Sequence, residues 1–498
     1  MGGQGILIIL SALLTVLCFP KFNVFFLAFG CLIPLLYQIE TSPKGVLRLF
    51  GVGFGYGLFF MGAFHLWIFE LTPFGPLWGL GLLWVLLVLL QSVFYGLGTC
   101  LIYYLKPYLP LPILVPSVWV LCEWLRHLGP FGNSGGDLGY SQTLNIGFLQ
   151  WASVGGVWLV TWLIVCINTT LFLALFNRNT HPLQAKKWAL WGVCILIIST
   201  GLGYGRLLLP SQEKPTLKVA LIQGNHPQLF KLDQNNWKSI RTDYLGLTEF
   251  ASLMNPDIII WPETVIATFN LDNAWFLKQL TTLSQTLNTP ILFGTPIKDQ
   301  GVNYNTLSLV TPDGLSKTNY QKTILMPFGE YIPLRGLDRK MGINYFNDWN
   351  EYRSGKDQPL LRFNTYSIGS AICLESIYPG HLRKTTQKGA DFLVTVANNA
   401  WFGNSSAAYK HIQMSQLRAV ENNRYLVQAS NTGISAVISN TGRYLTKTKL
   451  NETRIISHHI KIGFQKSMYT RLGDWVIWVS FGFIVFGVGR VIQVYCFL

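Results

Sequence analysis

The chain has 498 residues, more than one ordinary domain, and half of them are hydrophobic while only 12% are charged. That balance excludes an average soluble globular protein, and it points to a polytopic membrane protein carrying a large polar domain. The formal net charge of +15 raises nucleic acid as a partner. No basic helix, zinc-ligand spacing or RNA-binding aromatic motif accompanies the charge, so attraction to an anionic lipid surface is the stronger reading.

Apolar runs of about membrane-spanning length open the chain. Candidate spans lie at Gly5–Phe19, Phe22–Ile39, Val46–Phe69, Leu77–Leu105, Ile113–Leu125, Val154–Phe176, Trp188–Leu209 and Trp475–Phe497. The first lacks the basic lead and small-residue cleavage site of a secretory signal and is kept as a helix. Inside the third, Gly51-Val52-Gly53-Phe54-Gly55-Tyr56-Gly57 does not fit a dinucleotide loop and reads as close helix packing. Glu70, Glu123 and Arg126 sit near span ends, where paired or snorkelling charges are usual. The string Glu123-Trp124-Leu125-Arg126 either pairs structurally or shapes a lipid-facing pocket.

Loop charges set the expected orientation. Lys44 and Arg48, then Lys106, then Arg178, Lys186 and Lys187 fall in alternate loops, with Arg490 at the end of the last span. By the positive-inside rule both termini are cytoplasmic, and the long polar stretch before the last span is outside. Three segments follow: transmembrane helices over 1–209, an extracytoplasmic domain over 210–472, and a final helix over 473–498. The first carries nine Lys/Arg against four Asp/Glu and the second 28 against 18, so most of the net charge belongs to the polar domain.

That domain alternates short apolar runs with helical stretches. Strands are expected at Leu217–Gln223, Asp257–Trp261, Pro290–Gly294, Thr306–Val310, Ser367–Cys373, Phe392–Ala397 and Ala436–Ser439. Helices are expected at Asn236–Met254, Asn273–Leu287 and Ala407–Asn422. The alternation argues for a layered α/β fold. Several strands run into polar residues, as in Trp261-Pro262-Glu263, Cys373-Leu374-Glu375 and Asn398-Asn399, and strand ends are where a rigid sheet fixes functional side chains.

Cys373 is the only cysteine outside an apolar run; Cys18, Cys31, Cys100, Cys122, Cys166, Cys194 and Cys496 all lie within one. A lone thiol in a polar domain is either a small buried hydrophobe or a nucleophile. As a nucleophile it needs a base for its proton and a donor for the oxyanion formed when it attacks a carbonyl. Glu263 and Lys322 supply a carboxylate and an ammonium, each after an apolar strand-like run. Among the domain's histidines, His226, His381, His411, His458 and His459, none stands in a catalytic-looking context. With no Cys-x-x-Cys and no His-Glu-x-x-His, neither a metal nor another cofactor is expected.

Together Trp261-Pro262-Glu263, Tyr320-Gln321-Lys322 and Ile372-Cys373-Leu374-Glu375 resemble the Glu–Lys–Cys triad strings of the nitrilase superfamily. Two more strings, Pro327-Phe328-Gly329-Glu330-Tyr331-Ile332-Pro333 and Asn399-Ala400-Trp401-Phe402-Gly403, together with the spans, resemble the apolipoprotein N-acyltransferases over essentially the whole chain. The resemblance implies an αββα sandwich mounted on about eight transmembrane helices. It implies Glu263 as general base, Lys322 as oxyanion stabiliser and Cys373 as the acylated nucleophile. Glu330 and Glu375 take supporting roles, with structural ion pairs to Lys322 or Arg418 as the alternative. Trp401 and Phe402 line the acyl pocket or pack in the core.

By the same resemblance a membrane phospholipid, phosphatidylethanolamine, gives its sn-1 chain to Cys373, and diacylglyceryl-cysteine at an apolipoprotein N-terminus takes it. The setting implied is a bacterial inner membrane, with the domain periplasmic and the protein monomeric, without nucleic acid. Family members carry a Pro-Trp element after the Glu-Trp-Leu-Arg string. Here the glycine-rich segment Gly129–Tyr140 stands instead and is expected to be mobile. The alternative function is a membrane-tethered nitrilase-type amidohydrolase, which shares the nucleophile but has little use for so large a helical platform.

Overall fold

The computed structural model describes residues 2–43, 45–129, 131–133, 135–208, 214–266, 274–333 and 351–496. Lys44, Pro130, Ser134, Leu209, Asn273 and Phe497, which figure in the expectations above, fall outside them. The chain separates into two units, Met1–Pro210 with Leu472–Leu498, and Ser211–Arg471.

In the first unit, long apolar runs form α1 (Gly2–Leu17), α2 (Ile33–Thr41), α3 (Val46–Phe64), α4 (Leu77–Leu105), α5 (Leu111–Arg126), the single turn α6 (Ile146–Leu149), α7 (Ala152–Phe176) and α8 (Pro182–Leu208). Among the described residues five helices are long and apolar enough to cross a bilayer: α3, α4, α7, α8 and the stretch Trp475–Val494. The other three expected spans are shorter or broken. α1 has 16 residues, and so has α5, which contains Pro116. The expected span Phe22–Ile39 is a 3₁₀ turn at Phe25–Phe29 followed by α2. Asn168 of α7 bridges that break: its side chain accepts from the Leu32 amide at 2.9 Å and donates to the Ala28 carbonyl at 2.7 Å. Backbone groups freed in an apolar surrounding need such a partner. The expected span Val46–Phe69 likewise ends as a helix at Phe64 and continues as a 3₁₀ turn, Leu66–Leu71.

Of the glycine run of α3, Gly53 and Gly57 pack against α4 as expected, while a Cβ on Gly51 would meet no neighbour within 4 Å among the described residues. A Cβ on Gly57 would stand 2.7 Å from Ser92 Cα of α4, so only glycine lets the two backbones approach this closely. Glu123 and Arg126 form a buried cluster rather than a lipid-facing pocket. Glu123 accepts from Trp119 Nε1 at 3.0 Å, the Leu138 amide at 2.9 Å and Thr161 Oγ1 at 3.0 Å. Arg126 donates to Tyr95 Oη, to the Gly135 carbonyl and to Asp137, which His127 also meets at 2.7 Å. The expectation of a mobile Gly129–Tyr140 segment is therefore corrected from Gly135 onward. A carboxylate buried in an apolar unit must be paired and hydrogen-bonded, and Asp137 ties the chain down at that point.

The second unit begins with β1 (Thr216–Gln223), α9 (Gln228–Leu232), α10 (Trp237–Ser252), β2 (Ile258–Ile260), α11 (Ala274–Leu287), β3 (Ile291–Asp299), β4 (Val302–Thr311), β5 (Gly314–Leu315) and β6 (Tyr320–Gln321). It continues with β7 (Leu361–Phe363), β8 (Tyr366–Ile372), α12 (Pro379–Gln387), β9 (Phe392–Ala397), α13 (Ala407–Asn422), β10 (Leu426–Ser430), β11 (Ala436–Ile438), β12 (Tyr444–Lys447) and β13 (Arg454–Lys461). The short α14 (Met468–Leu472) and the apolar α15 (Trp475–Cys496) complete the chain.

Two sheets result, in the orders β13-β1-β2-β3-β4-β5, with β6 also on β4, and β12-β11-β10-β9-β8-β7. The central strands, such as β2, β9, β10 and β11, are buried on both faces, and most of them read as nearly continuous apolar runs. Leu217, Val219 and Leu221 of β1 meet Phe392, Val394 and Val396 of β9 in a core between the sheets. Ala220 and Ile222 face the other way, towards Ile240 and Tyr244 of α10. Leu393 and Leu426 pack towards Leu382 of α12 and Ala419 of α13. The layers run helix, sheet, sheet, helix: the expected αββα sandwich.

Candidate active site

The chain ends of several strands converge on one polar cluster. Glu263 sits in the turn after β2, and the turn lies directly on β3. A Cβ on Gly294 would stand 2.6 Å from the Pro262 carbonyl oxygen and 2.7 Å from Glu263 Cα. Lys322 follows β6, its backbone amide donating to the Asn305 carbonyl of β4 at 2.8 Å. Cys373 follows β8 and begins a 3₁₀ turn, Cys373–Ile377, at φ +50°. β8 thus stops one residue short of the expected strand end, because a non-glycine residue in the left-handed region cannot continue a strand.

Lys322, 2% exposed, donates to Glu263 at 3.3 Å and to Glu330 at 2.9 Å. Asn305 Nδ2 donates to the same two carboxylates, at 2.8 Å each. Glu263 accepts a further bond from the Asn398 amide at 2.9 Å, and Glu330 one from the Met326 amide at 2.8 Å. Burial by itself would raise the Glu263 pKa, but the Lys322 ammonium and these hydrogen bonds outweigh it and hold the carboxyl below its ordinary range. Lys322 is held well above the ordinary lysine range: burial opposes its charge, and Glu263 and Glu330 overcome that.

The Cys373 thiol is only partly accessible. Burial, then the Glu263 and Glu330 charges and a hydrogen bond with Glu263, push its pKa up, with Lys322 opposing. At neutral pH the sulfur is therefore a protonated thiol beside an ionised carboxylate. The cluster carries two carboxylates and one ammonium, so a thiolate formed there must pass its proton on at the same moment.

Glu375 is drawn into a different role from the ion pairs considered for it. Fully buried, it accepts from Tyr320 Oη at 2.6 Å, the Thr323 amide at 2.6 Å, Thr323 Oγ1 at 2.8 Å, the Ile324 amide at 3.1 Å and the Ile372 amide at 2.7 Å. It clamps the Cys373 turn to the Lys322 strand, while Arg418 pairs with Glu421 at 3.0 Å. Glu330 does form the pair with Lys322. Trp401 and Phe402 lie half-buried on the 3₁₀ turn Asn399–Phe402, immediately beyond Asn398.

Three neighbours were not anticipated. Asn305 lies mid-strand, where a polar residue on β4 is the only hint. Lys231 of α9 is 1% exposed, its Nζ has no hydrogen-bond partner among the described residues, and burial brings its pKa down to about 7 against the pull of Glu263. His411 of α13 reaches the Cys373 carbonyl at 3.1 Å. A histidine therefore does stand at the nucleophile turn, but it faces the main chain. Among the described residues no group of three or more His, Cys, Asp or Glu side chains forms a metal site.

The carbon-nitrogen hydrolase family model matches residues 218–467, which makes the second unit a nitrilase-like enzyme domain. The model of the apolipoprotein N-acyltransferase N-terminal domain matches residues 11–170. An apolipoprotein N-acyltransferase of Geobacter metallireducens is 30% identical, over 94% of this chain and 92% of its own. One from Photobacterium profundum is 27% identical, over 96% and 92%. Among solved structures, the nitrilase-superfamily protein Nit3 of Saccharomyces cerevisiae aligns with 50% of this chain and 93% of its own, at 17% identity and a TM-score of 0.40. The chain belongs to the apolipoprotein N-acyltransferase family, and it is a membrane acyltransferase.

Proposed function

We propose that the chain N-acylates apolipoproteins in two half-reactions through a thioester on Cys373. In the first, Cys373 Sγ attacks the sn-1 ester carbonyl of a phospholipid, phosphatidylethanolamine being the donor proposed. The thiol proton passes to Glu263, Lys322 stabilises the oxyanion, and Glu263 returns the proton to the departing lysophospholipid oxygen. In the second, the neutral α-amino group of a diacylglyceryl-cysteine attacks the thioester. The nitrogen gives up a proton to Glu263, the C–S bond breaks, and Cys373 leaves as a thiol by recovering that proton. The observation that carries this reading is the cluster that unites an ionised Glu263, a charged Lys322 and a protonated Cys373 thiol.

Glu330 holds Lys322 together with Glu263, and Glu375 keeps the nucleophile turn in place. Trp401 and Phe402 border the acyl chain. The domain limits proposed are 1–209, 210–472 and 473–498, with eight membrane passages, a periplasmic catalytic domain in a bacterial inner membrane, and a monomeric enzyme. Both lipids are then met at the bilayer, where no chain has to be drawn into water at about 0.8 kcal/mol per CH₂.

Incubation with a phospholipid labelled in its sn-1 chain, followed by mass spectrometry of peptides, is expected to find a thioester on Cys373 and none in Cys373→Ala. Label on another residue, or transfer without any labelled intermediate, would overturn the mechanism. Adding water alone or an apolipoprotein peptide separates the hydrolase alternative from the transferase.

A further inference from the structure

His411 is 7% exposed and lies on α13, 38 residues from Cys373 in sequence. Its Nε2 stands 2.8 Å from Ser376 Oγ and 3.1 Å from the Cys373 carbonyl oxygen, and Ser376 Oγ donates to that same carbonyl at 2.9 Å. On its other side, Asn399 Nδ2 approaches Nδ1 at 3.4 Å, and Ser430 Oγ fixes Asn399 by donating to its Oδ1 at 3.0 Å. One tautomer satisfies every contact: Nε2–H donates towards Cys373 and Ser376, and Nδ1 accepts from Asn399. Burial, with a smaller contribution from Lys322, lowers the His411 pKa to about 4 against the Cys373 carbonyl bond and the Glu263 charge, so the ring is neutral and keeps that tautomer at working pH.

Cys373 needs such a restraint. Its φ of +50° is a conformation that non-glycine residues hold only when the surroundings over-determine it. Glu375 fixes the turn from the β6 side, through the Ile372 amide. His411 and Ser376 fix it from the α13 side, through the Cys373 carbonyl. The partner of His411, Asn399, is the residue after Asn398, whose amide holds the Glu263 carboxylate. Resting on the reading of Cys373 as nucleophile and Glu263 as base, we propose that His411 is a positioning residue. It locks the nucleophile turn and, through Asn399, holds that turn in register with the chain segment that orients the base.

The test compares His411→Leu, which removes both ring nitrogens, with His411→Gln, whose amide N–H can reach the Cys373 carbonyl. Purified full-length protein is mixed with sn-1-labelled phosphatidylethanolamine in micelles, and the single-turnover rate of thioester formation is followed. His411→Leu is expected to slow acylation by roughly tenfold to a hundredfold, the usual cost of a misplaced reacting atom, with KM within about twofold. His411→Gln is expected to recover most of that loss and to keep the shape of the wild-type pH profile. The proposal is overturned if His411→Leu acylates at the wild-type rate. It is equally overturned if a folded His411→Gln is as slow as the leucine variant, or loses a limb of the pH profile, because then the imidazole titrates in the reaction. Should His411→Leu not fold, the glutamine variant alone decides by the same criteria. Absence of a thioester in the wild type counts against the nucleophile assignment and is read separately.

Discussion

At the residue scale the site is governed by where its protons rest. Glu263 is held below the ordinary carboxylate range, so it is ionised and able to accept throughout neutral pH. Cys373 is held above the ordinary thiol range, so it is a proton donor there. Glu263→Gln removes the acceptor, and thioester formation measured by single turnover is expected to fall by roughly 10²–10⁴-fold. Lys231 adds a pH term, since its amine titrates at about 7 against the Glu263 charge. Below that pH its ammonium steadies the carboxylate and weakens the base; above it the neutral amine leaves Glu263 more basic. The acylation rate is expected to step up as pH rises through about 7, and Lys231→Met to abolish the step while holding the faster rate at both ends. A profile of the methionine variant identical to wild type would refute the coupling. Cys373 and Glu263 stood out in the sequence because each follows an apolar run, and Lys322 through its place in the string Tyr320-Gln321-Lys322. Lys231 did not, because it lies on a five-residue helix that no expected element covered, and His411 did not, because it lies inside the expected helix Ala407–Asn422 and only the fold brings it to a strand end.

At the element scale, the nucleophile and base turns depend on close approach between backbones. Gly294 gives Glu263 its place: with a Cβ 2.6 Å from the Pro262 oxygen, either the turn or β3 must shift. Gly294→Ala is expected to cost about 1–3 kcal/mol in the domain's unfolding free energy. It is also expected to lower the acylation rate roughly tenfold or more through displacement of Glu263, while leaving the membrane content of the protein unchanged. Near-normal acylation in a folded Gly294→Ala protein would show that the turn tolerates the shift.

The strands that were legible are those with unbroken apolar runs, such as Phe392–Ala397. Three were not. β10 carries Gln428 and Ser430 in five residues, β12 is a short, half-buried edge, and His458 and His459 interrupt β13. The helices α4 and α13 were read to the residue. The span expected at Phe22–Ile39 was not: Gly30 and Pro34 mark the break in the sequence, and Asn168, more than a hundred residues away, bridges it.

At the scale of the whole molecule, the loop charges set a prediction about sidedness. A cysteine placed at the exposed Lys317, in a Cys373→Ala background, is expected to react with a membrane-impermeant maleimide added to spheroplasts, whereas one at Arg178 reacts only after lysis. The reverse labelling would place the catalytic domain in the cytoplasm and end the periplasmic assignment. The membrane character of the helical unit was legible because five of the helices declare themselves by length and apolarity alone, while the other three expected spans are shorter or broken.

The pairing of β1 with β13, from Thr216 opposite Lys461 to Gln223 opposite Arg454, means that the polypeptide enters and leaves the sandwich on adjoining antiparallel strands. The whole module is therefore a cassette with its two seams side by side. A homologous sandwich spliced in between residues 214 and 463 would meet the same two attachment points without re-threading any loop.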